Sequence, residues 1–365
     1  MELTKCKLGE LITQRREKND GSDLPICGVS KDGLIPPKQK DADTSIYNVF
    51  YRDDFIFNPA RMELNSIAIN DMYDRAICSS LYEVFYVHRT DLLLPHYLEL
   101  IIRQKWFTRY CKFLGQGSAR EYCRFGNISE IEIEFPPIEE QQKIVEYNTA
   151  IENRIALKQK INDNLLATTQ AIYKSWFVDF EPFDNVCPSD WGNGCVDDIA
   201  EFYDSMRKPL SSLERADMER IYPYYGAVSI VDYVDDFIFD GEYLLLSEDG
   251  IYVVDENGHP LLQHITGKFW ANNHAHILKG KSGFNEDSLY LFLANTNMAP
   301  IVTGAAQPKI NQANLKSFPI TIPTSEVIEN FNALIQPFFD QRLSNEAEVK
   351  KLESLKDLLL SRLVN

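Results

Sequence analysis

Between Glu139 and Trp176 the chain reads EEQQKIVEYNTAIENRIALKQKINDNLLATTQAIYKSW, 38 residues with neither Pro nor Gly. Ile144, Ile151, Leu165 and Ile172 fall on one seven-residue register with Lys158 as its single gap, and Ile155 and Trp176 join on the neighbouring position. A helix of that length would extend ~57 Å at about 1.5 Å per residue. So narrow an apolar stripe on so long a helix requires a partner, and the seven-residue period predicts coiled-coil packing. A second stripe stands at the C-terminal end, in Leu343, Val349, Leu352, Leu355, Leu359 and Leu363. Of these, Leu352, Leu355 and Leu359 are expected to face the first helix. Pro337 predicts a short helix from about Ser325, a kink or restart at the proline, and a main helix to about Leu363. A globular segment between the two helices must return the chain to the far end of the first, so the pair should be antiparallel.

Outward from the helix, the chain contains itself twice. YRDDFIFN at Tyr51 to Asn58 returns as YVDDFIFD at Tyr233 to Asp240, with six of eight positions identical. GSAREYCRFGNISEIEIEFPPIE at Gly117 to Glu139 returns without a gap as GAAQPKINQANLKSFPITIPTSE at Gly304 to Glu326. Two copies are too few for a solenoid, which needs at least ~3 stacked repeats. A duplicated large unit instead gives two similar surfaces related by an internal near-twofold, a geometry suited to a bipartite target. Each half reads as a mixed segment followed by a long helix. DDFIFN, NSIAIN and YEVFYVH read as strands, LPHYLELIIRQKWFTRYCKFL (Leu94 to Leu114) as one helix with Pro95 in its first turn, and SEIEIEFPP as a closing strand stopped by prolines. In the second half DDFIFDGEYLLLSEDG, HAHILKG and FPITIP are the strands and SLYLFLANT a short helix.

A length of 365 residues allows two or three domains, and 44% apolar with 12% aromatic content supplies ample core. The N-terminus has no apolar stretch of signal-peptide type. Runs such as LYLFLA are far shorter than the ~18 residues needed to span a bilayer, so no membrane association is expected. Seven scattered cysteines without a CxxC predict free thiols in a reducing cytoplasm. The net charge of −17 argues against binding nucleic acid by bulk electrostatics. The local balance differs: Arg103 to Arg124 holds six bases against one acid, Glu121, with Trp106, Phe107, Tyr110, Phe113 and Tyr122 interleaved. By itself that is a helix with a solvated basic face; within a repeated unit it is a candidate for facing DNA.

Catalytic chemistry is not found. GKS at Gly280 to Ser282 lacks the upstream P-loop glycine, where Ala275 stands. NPAR at Asn58 to Arg61 lacks the second Pro and the aromatic of an amino-methyltransferase motif. His274 and His276 alternate as if on one strand face, but no acid or Cys at ligand spacing completes a zinc site, so no metal is expected. Glu248-Asp249 and Asp235-Asp236 read as solvated pairs at strand ends, and Asp53-Asp54 as a turn.

PPIEEQ (Pro136 to Gln141), IENRIALKQKIN (Ile151 to Asn162) and YKSWFVDFEPF (Tyr173 to Phe183) resemble the central region of specificity (S) subunits of type I restriction–modification systems. QPKINQANLKSFPITIP (Gln307 to Pro323) and the terminal KLESLKDLLLSRL are similar to the matching second-half parts. The resemblance implies an α+β chain of two tandem mixed α/β target recognition domains, each followed by a long helix, the two helices packing as an antiparallel coiled coil with pseudo-twofold symmetry. The boundaries are then residues 1–136 for the first recognition domain, 137–180 for the central helical spacer, 181–323 for the second domain and 324–365 for the C-terminal spacer. It also implies a non-catalytic subunit that needs no cofactor of its own. Its partners would be double-stranded DNA, two methyltransferase subunits that methylate adenine using S-adenosylmethionine, and motor-nuclease subunits. One departure is PTSEVIE in the second copy, where the first has PPIEEQQ. The competing expectation is a coiled-coil scaffold without a DNA role, which the acidic total favours; a self-sufficient modification enzyme would need a further domain.

Base readout calls for Arg, Lys, Asn and Gln side chains. The loops before the closing strands offer Gln116, Ser118, Arg120 and Arg124 in the first copy and Gln307, Lys309, Asn311 and Gln312 in the second. Arg15, Arg16 and Lys18 form another cluster, with Arg207 and Lys208 at a comparable place in the second half. Phosphate contact is expected more often than base contact. The bland role for Gly117/Gly304 and Asn127/Asn314 is a loop turn and a cap.

Overall fold

The repeated segments fold as the same three-part closing unit. In the computed structural model, which describes residues 3–31, 33–37, 43–114, 122–250, 253–304 and 306–361, the first copy forms a short helix Phe125–Ser129, a strand Glu132–Phe135 and the long helix Ile138–Phe177. The second forms Gln312–Lys316, Pro319–Ile322 and Ser325–Ser361 in the same order and at the same spacing. Each closing strand pairs antiparallel with the strand that opens its own half: Thr4–Lys7 with Thr4 opposite Phe135, and Gly192–Cys195 with Gly192 opposite Ile322. Pro136-Pro137 and Pro323 follow these strands, where the absent N–H ends the ladder.

The chain separates into two compact units, Met1–Leu157 with Glu348–Asn365, and Lys158–Ala347. In the first, one four-stranded antiparallel sheet runs Ile12–Arg15, Glu83–Val87, Phe55–Phe57, Ile67–Ile69. A second four-stranded sheet runs Gly33–Ile35, Ile26–Ser30, Arg75–Cys78, Asn48–Tyr51, its middle pair parallel. The second unit carries a six-stranded sheet in the order Ala200–Phe202, Ala275–Gly280, Phe239–Ser247, Leu262–Ala271, Tyr222–Tyr225, Ile230–Val234. The first copy of the FIF motif enters its sheet whole and buried, as Phe55–Phe57, whereas the second enters only through buried Phe239. Phe55 lies opposite Phe85 with rings stacked at 4.9 Å, and Phe239 opposite Phe269 with rings stacked at 5.0 Å.

The segment expected as one helix from Leu94 is two, Pro95–Ile102 and Lys105–Leu114. The restart follows from Gln104, whose backbone carbonyl accepts from Phe107 N and whose side chain accepts from Trp106 Nε1 at 2.8 Å.

Within each unit the two long helices run antiparallel. In the first, Lys356 Nζ meets Glu152 at 2.5 Å and Arg154 pairs with Glu348. In the second, Asn345 Nδ2 donates to Asn162 Oδ1 at 2.7 Å, while Tyr173, Trp176 and Phe177 pack on Phe331. The register position occupied by Lys158 is a polar layer rather than a gap, since its Nζ donates to Asn345 Oδ1 at 3.0 Å and Asn345 is 1% exposed. Ile151, Ile155 and Leu165 are half-buried along this seam, whereas Ile144 packs on the first domain's core and Ile172 on the second's. On the second helix Leu352 and Leu359 are half-buried, but Leu355 is 50% exposed. The inward positions run Asn345, Val349, Leu352, Lys356, Leu359, so Lys356 holds the place expected of Leu355 and uses its charge on Glu152. Leu363 lies outside the described residues. Pro337 does not interrupt the helix, which is continuous over Ser325–Ser361. The proline sits on the solvent face between buried Ile335 and Phe339, so the carbonyl it leaves unpaired can be hydrated.

Gln141, the glutamine of PPIEEQ, anchors the first long helix. It is fully buried; Nε2 donates to Leu92 O at 2.7 Å and Pro136 O at 2.8 Å, and Oε1 accepts from Leu94 N at 2.9 Å. Ile328 occupies the matching place in the second copy and buries itself in an apolar core, which accounts for the departure there. Gln141→Leu should therefore cost about 1–3 kcal/mol by stranding three backbone groups. Urea denaturation measures it, and an unchanged midpoint would refute the anchoring role.

Candidate nucleic-acid interface

In the first unit the structure brings together expected residues from distant segments. Arg16 Nε donates to Gln14 Oε1 at 2.9 Å, Gln14 Nε2 reaches Glu83 at 3.4 Å, and Glu83 also meets Arg124 Nη1 at 3.4 Å. Arg124 caps the short helix Phe125–Ser129, lies over the Tyr122 ring at 5.4 Å, and keeps 66% of its side chain exposed. Arg16 and Arg124 thus share one exposed patch. Lys18, also exposed, folds back to Asn48 Oδ1 at 2.6 Å and Ile46 O at 3.1 Å. Arg15 is placed differently. Its guanidinium meets Asp54 at 2.6 Å and lies over Tyr51 at 4.7 Å and Tyr86 at 4.6 Å, with Asp54 1% exposed. That corrects the expectation of a surface cation: Arg15 neutralises a buried carboxylate. Gln116, Ser118 and Arg120 lie outside the described residues.

The second unit shows the same convergence, but onto acids. Arg207 Nη1 meets Glu248 at 2.6 Å, Lys309 Nζ meets Glu248 at 2.9 Å, and Gln312 Nε2 donates to Asp204 at 2.8 Å. His276, fully buried, joins Asp204 through Nδ1 at 2.6 Å and Ile310 O through Nε2 at 2.8 Å. Burial alone would raise the Glu248 carboxyl, but Lys309, Arg207 and His276 outweigh it and hold it below the ordinary carboxylate range. Glu248 is therefore a buried hub, not a solvated strand-end acid, and Arg207 is a structural cation with 13% of its side chain exposed. Asp204, Glu248 and His276 have a spacing that a metal ion could use; Arg207 and Lys309 already supply the opposing charge. His274 lies before the strand and pairs with Asp249 at 2.6 Å, so the two histidines do not share a site. Asn311 caps the helix Gln312–Lys316 by accepting from Asn314 N at 2.8 Å. Gln307 is exposed next to Gly304, whose φ of +85° and missing Cβ permit the turn. Lys208 is exposed, its Nζ 6.0 Å from the Trp270 ring centre. Asn127 acts as a cap, as its bland reading holds, by accepting from Arg124 N at 2.9 Å. Asn58 of NPAR is likewise a helix cap.

Three cations of the basic run Arg103 to Arg124 are better placed than several residues chosen for base readout. Lys105, Arg109 and Lys112 project from the helix Lys105–Leu114 into solvent and form no ion pair among the described residues. Between them Tyr110 (41% exposed) and Phe113 (65% exposed) stack on each other at 6.3 Å. Exposed aromatics beside uncompensated cations fit a polyanion better than a packed core. The signal was present as the basic run; what the sequence did not show is which of its cations lack acidic partners.

No described helix is long and apolar enough to cross a membrane. All seven cysteines are free thiols.

Comparison with known proteins closes the question of kinship. A family model described as "Type I restriction modification DNA specificity domain" matches residues 6–167 and again 188–356. A Haemophilus influenzae protein named "Putative type I restriction enzyme specificity subunit S.HindORF215P" is 36% identical over 143 residues, covering 38% of this chain and 36% of that protein. The type I restriction enzyme MjaIX specificity subunit of Methanocaldococcus jannaschii is 25% identical over 299 residues, covering 75% of this chain and 69% of that one. The chain thus spans little more than a third of the first relative's length. Among solved structures, the S subunit of a type I restriction–modification system from M. genitalium has the same fold, with a TM-score of 0.59, 13% identity and coverage of 100% of this chain and 96% of that one. With both halves matched in tandem, the chain belongs to the type I restriction modification DNA specificity domain family.

Proposed function

We propose that this chain is the non-catalytic specificity subunit of a cytoplasmic type I restriction–modification complex, each recognition domain reading one part of a split DNA target. Partner methyltransferase subunits would methylate adenine within that target, and motor-nuclease subunits would act when it is unmodified. The observation that carries the reading is the family match to each half separately, which gives two recognition domains on one chain. Exposed Arg16, Arg124, Lys105, Arg109 and Lys112 support the first domain as a phosphate-facing surface, and Lys208 and Gln307 are exposed candidates on the second. The acidic total suggests that partner subunits contribute phosphate affinity, so the isolated chain should bind DNA weakly at physiological salt.

Co-expression with its methyltransferase subunit in a host lacking adenine methylation, followed by genome-wide mapping of methylated adenines, tests the reading. One split motif with a fixed spacer is expected; a stable complex with no new motif would favour the scaffold. In that complex, changing Lys105, Arg109 and Lys112 to Ala should flatten the slope of log affinity against log salt by about 0.9 per lost phosphate contact. An unchanged slope would remove this helix from the interface.

A further inference from the structure

The second unit holds a polar cluster unused by the recognition argument. In the pairing of Phe239–Ser247 with Leu262–Ala271, Glu242 lies opposite Thr266 and His264 opposite Leu244. Glu242 and His264 are therefore diagonal neighbours on one face, and the helix Glu286–Ala294 over that face adds Asp287. His264 Nε2 meets Glu242 Oε1 at 2.6 Å, which sets Nδ1 toward Asp287 Oδ1, 3.5 Å away. Asp287 is 3% exposed, and its Oδ1 has no hydrogen-bond partner; Oδ2 accepts from Gln336 Nε2 at 3.2 Å. The imidazole is held between Tyr290 and Phe339, with ring centres 6.2 Å and 6.0 Å away.

We propose that His264 Nδ1 and Asp287 bind a divalent transition-metal ion, with zinc as the best match, while Glu242 on Nε2 orients the imidazole from outside. One polar atom from each of the three lies within 4.8 Å of the others. Bonds of about 2.0–2.2 Å in a tetrahedron place ligand atoms ~3.2–3.6 Å apart, so the gap between His264 Nδ1 and Asp287 Oδ1 already has the right width. One imidazole and one carboxylate, with water completing the shell, suit a borderline ion better than magnesium or calcium, which favour all-oxygen sites. Charge argues the same way. Neither Glu242 nor Asp287 pairs with a Lys or Arg among the described residues, unlike the acids around Arg207. A cation there would compensate the buried acid and tie the two strands to the helix. Glu242, with 39% of its side chain exposed, leaves an approach for the ion and for water to complete its coordination.

The full chain, stripped by a chelator and dialysed against zinc sulfate, should retain one more zinc per chain than the His264→Gln or Asp287→Asn variant, and zinc should raise its melting temperature more than theirs. Equal retention overturns the proposal. Should either variant fail to fold, Glu242→Gln on the half-exposed edge should still weaken zinc binding at least ~10-fold in a competitive chelator titration. Unchanged affinity in that variant also overturns it.

Discussion

Phe331→Ala should lose about 3–5 kcal/mol of stability, the expected cost of deleting a buried aromatic side chain. The ring is fully buried, 4.7 Å from Phe177 at a near-perpendicular angle, 5.7 Å from Trp176 and 6.5 Å from Tyr173. Its removal leaves a cavity bordered by three aromatics on the opposing helix, of which Tyr173 and Phe177 are also held by Phe292, Phe177 by Trp191 and Trp176 by Phe183. The site therefore cannot collapse cheaply. Against a domain stability of about 5–15 kcal/mol, this is enough to populate the unfolded second unit in mild urea. Phe331→Leu, closer in volume, should lose less than about 1.5 kcal/mol. Equilibrium denaturation of both variants measures the pair, and equal midpoints would mean that the aromatic cluster does not hold the helices together.

Asp54→Ala should be comparably damaging, at about 3–5 kcal/mol, because it strands a largely buried cation. Asp54 accepts from Arg15 at 2.6 and 3.1 Å and from Tyr51 N at 2.8 Å, and its carboxylate is the only acid pairing with Arg15 among the described residues. Removing both partners, as Arg15→Ala with Asp54→Ala, should cost less than the sum of the single changes. A coupling energy below about 0.5 kcal/mol in that double-mutant cycle would contradict the pairing. The comparison also bears on recognition: the effect of Arg15→Ala should be on folding of the first unit, whereas Arg16→Ala should leave folding unchanged.

The long helices, the closing strands and the duplication were legible because each is a local or periodic pattern: a long run without Pro or Gly, prolines after a β-rich stretch, two matching segments. The phase of the second helix was not. Counting leucines selected Leu355, but packing runs through Asn345 and Lys356, and polar residues at a seam are invisible to an apolar count. Pro337 misled for a related reason, since its effect depends on which face of the helix it occupies. The candidate interface divides along the same line. Sequence found the segments carrying Arg15, Arg207 and Lys309, and the structure does bring Arg207 and Lys309 to one place. What distinguishes a spare cation from a spent one is the presence of Asp54 or Glu248, each far away in sequence. Arg109 and Lys112 stand out only once their lack of acidic neighbours is known.

The pairing of each opening strand with its own closing strand has a consequence for how such a chain can change. Thr4–Lys7 lies beside Glu132–Phe135, and Gly192–Cys195 beside Pro319–Ile322, so each recognition body is entered and left through adjacent strands. Each body is therefore held at both ends by one strand pair, directly before the helix that follows it. Its interior loops can lengthen, or a foreign body can be spliced between the same two strands, without shifting the helix start that follows. Under the proposed function, exchanging one body would change the part of the target it reads and leave the long helices in place.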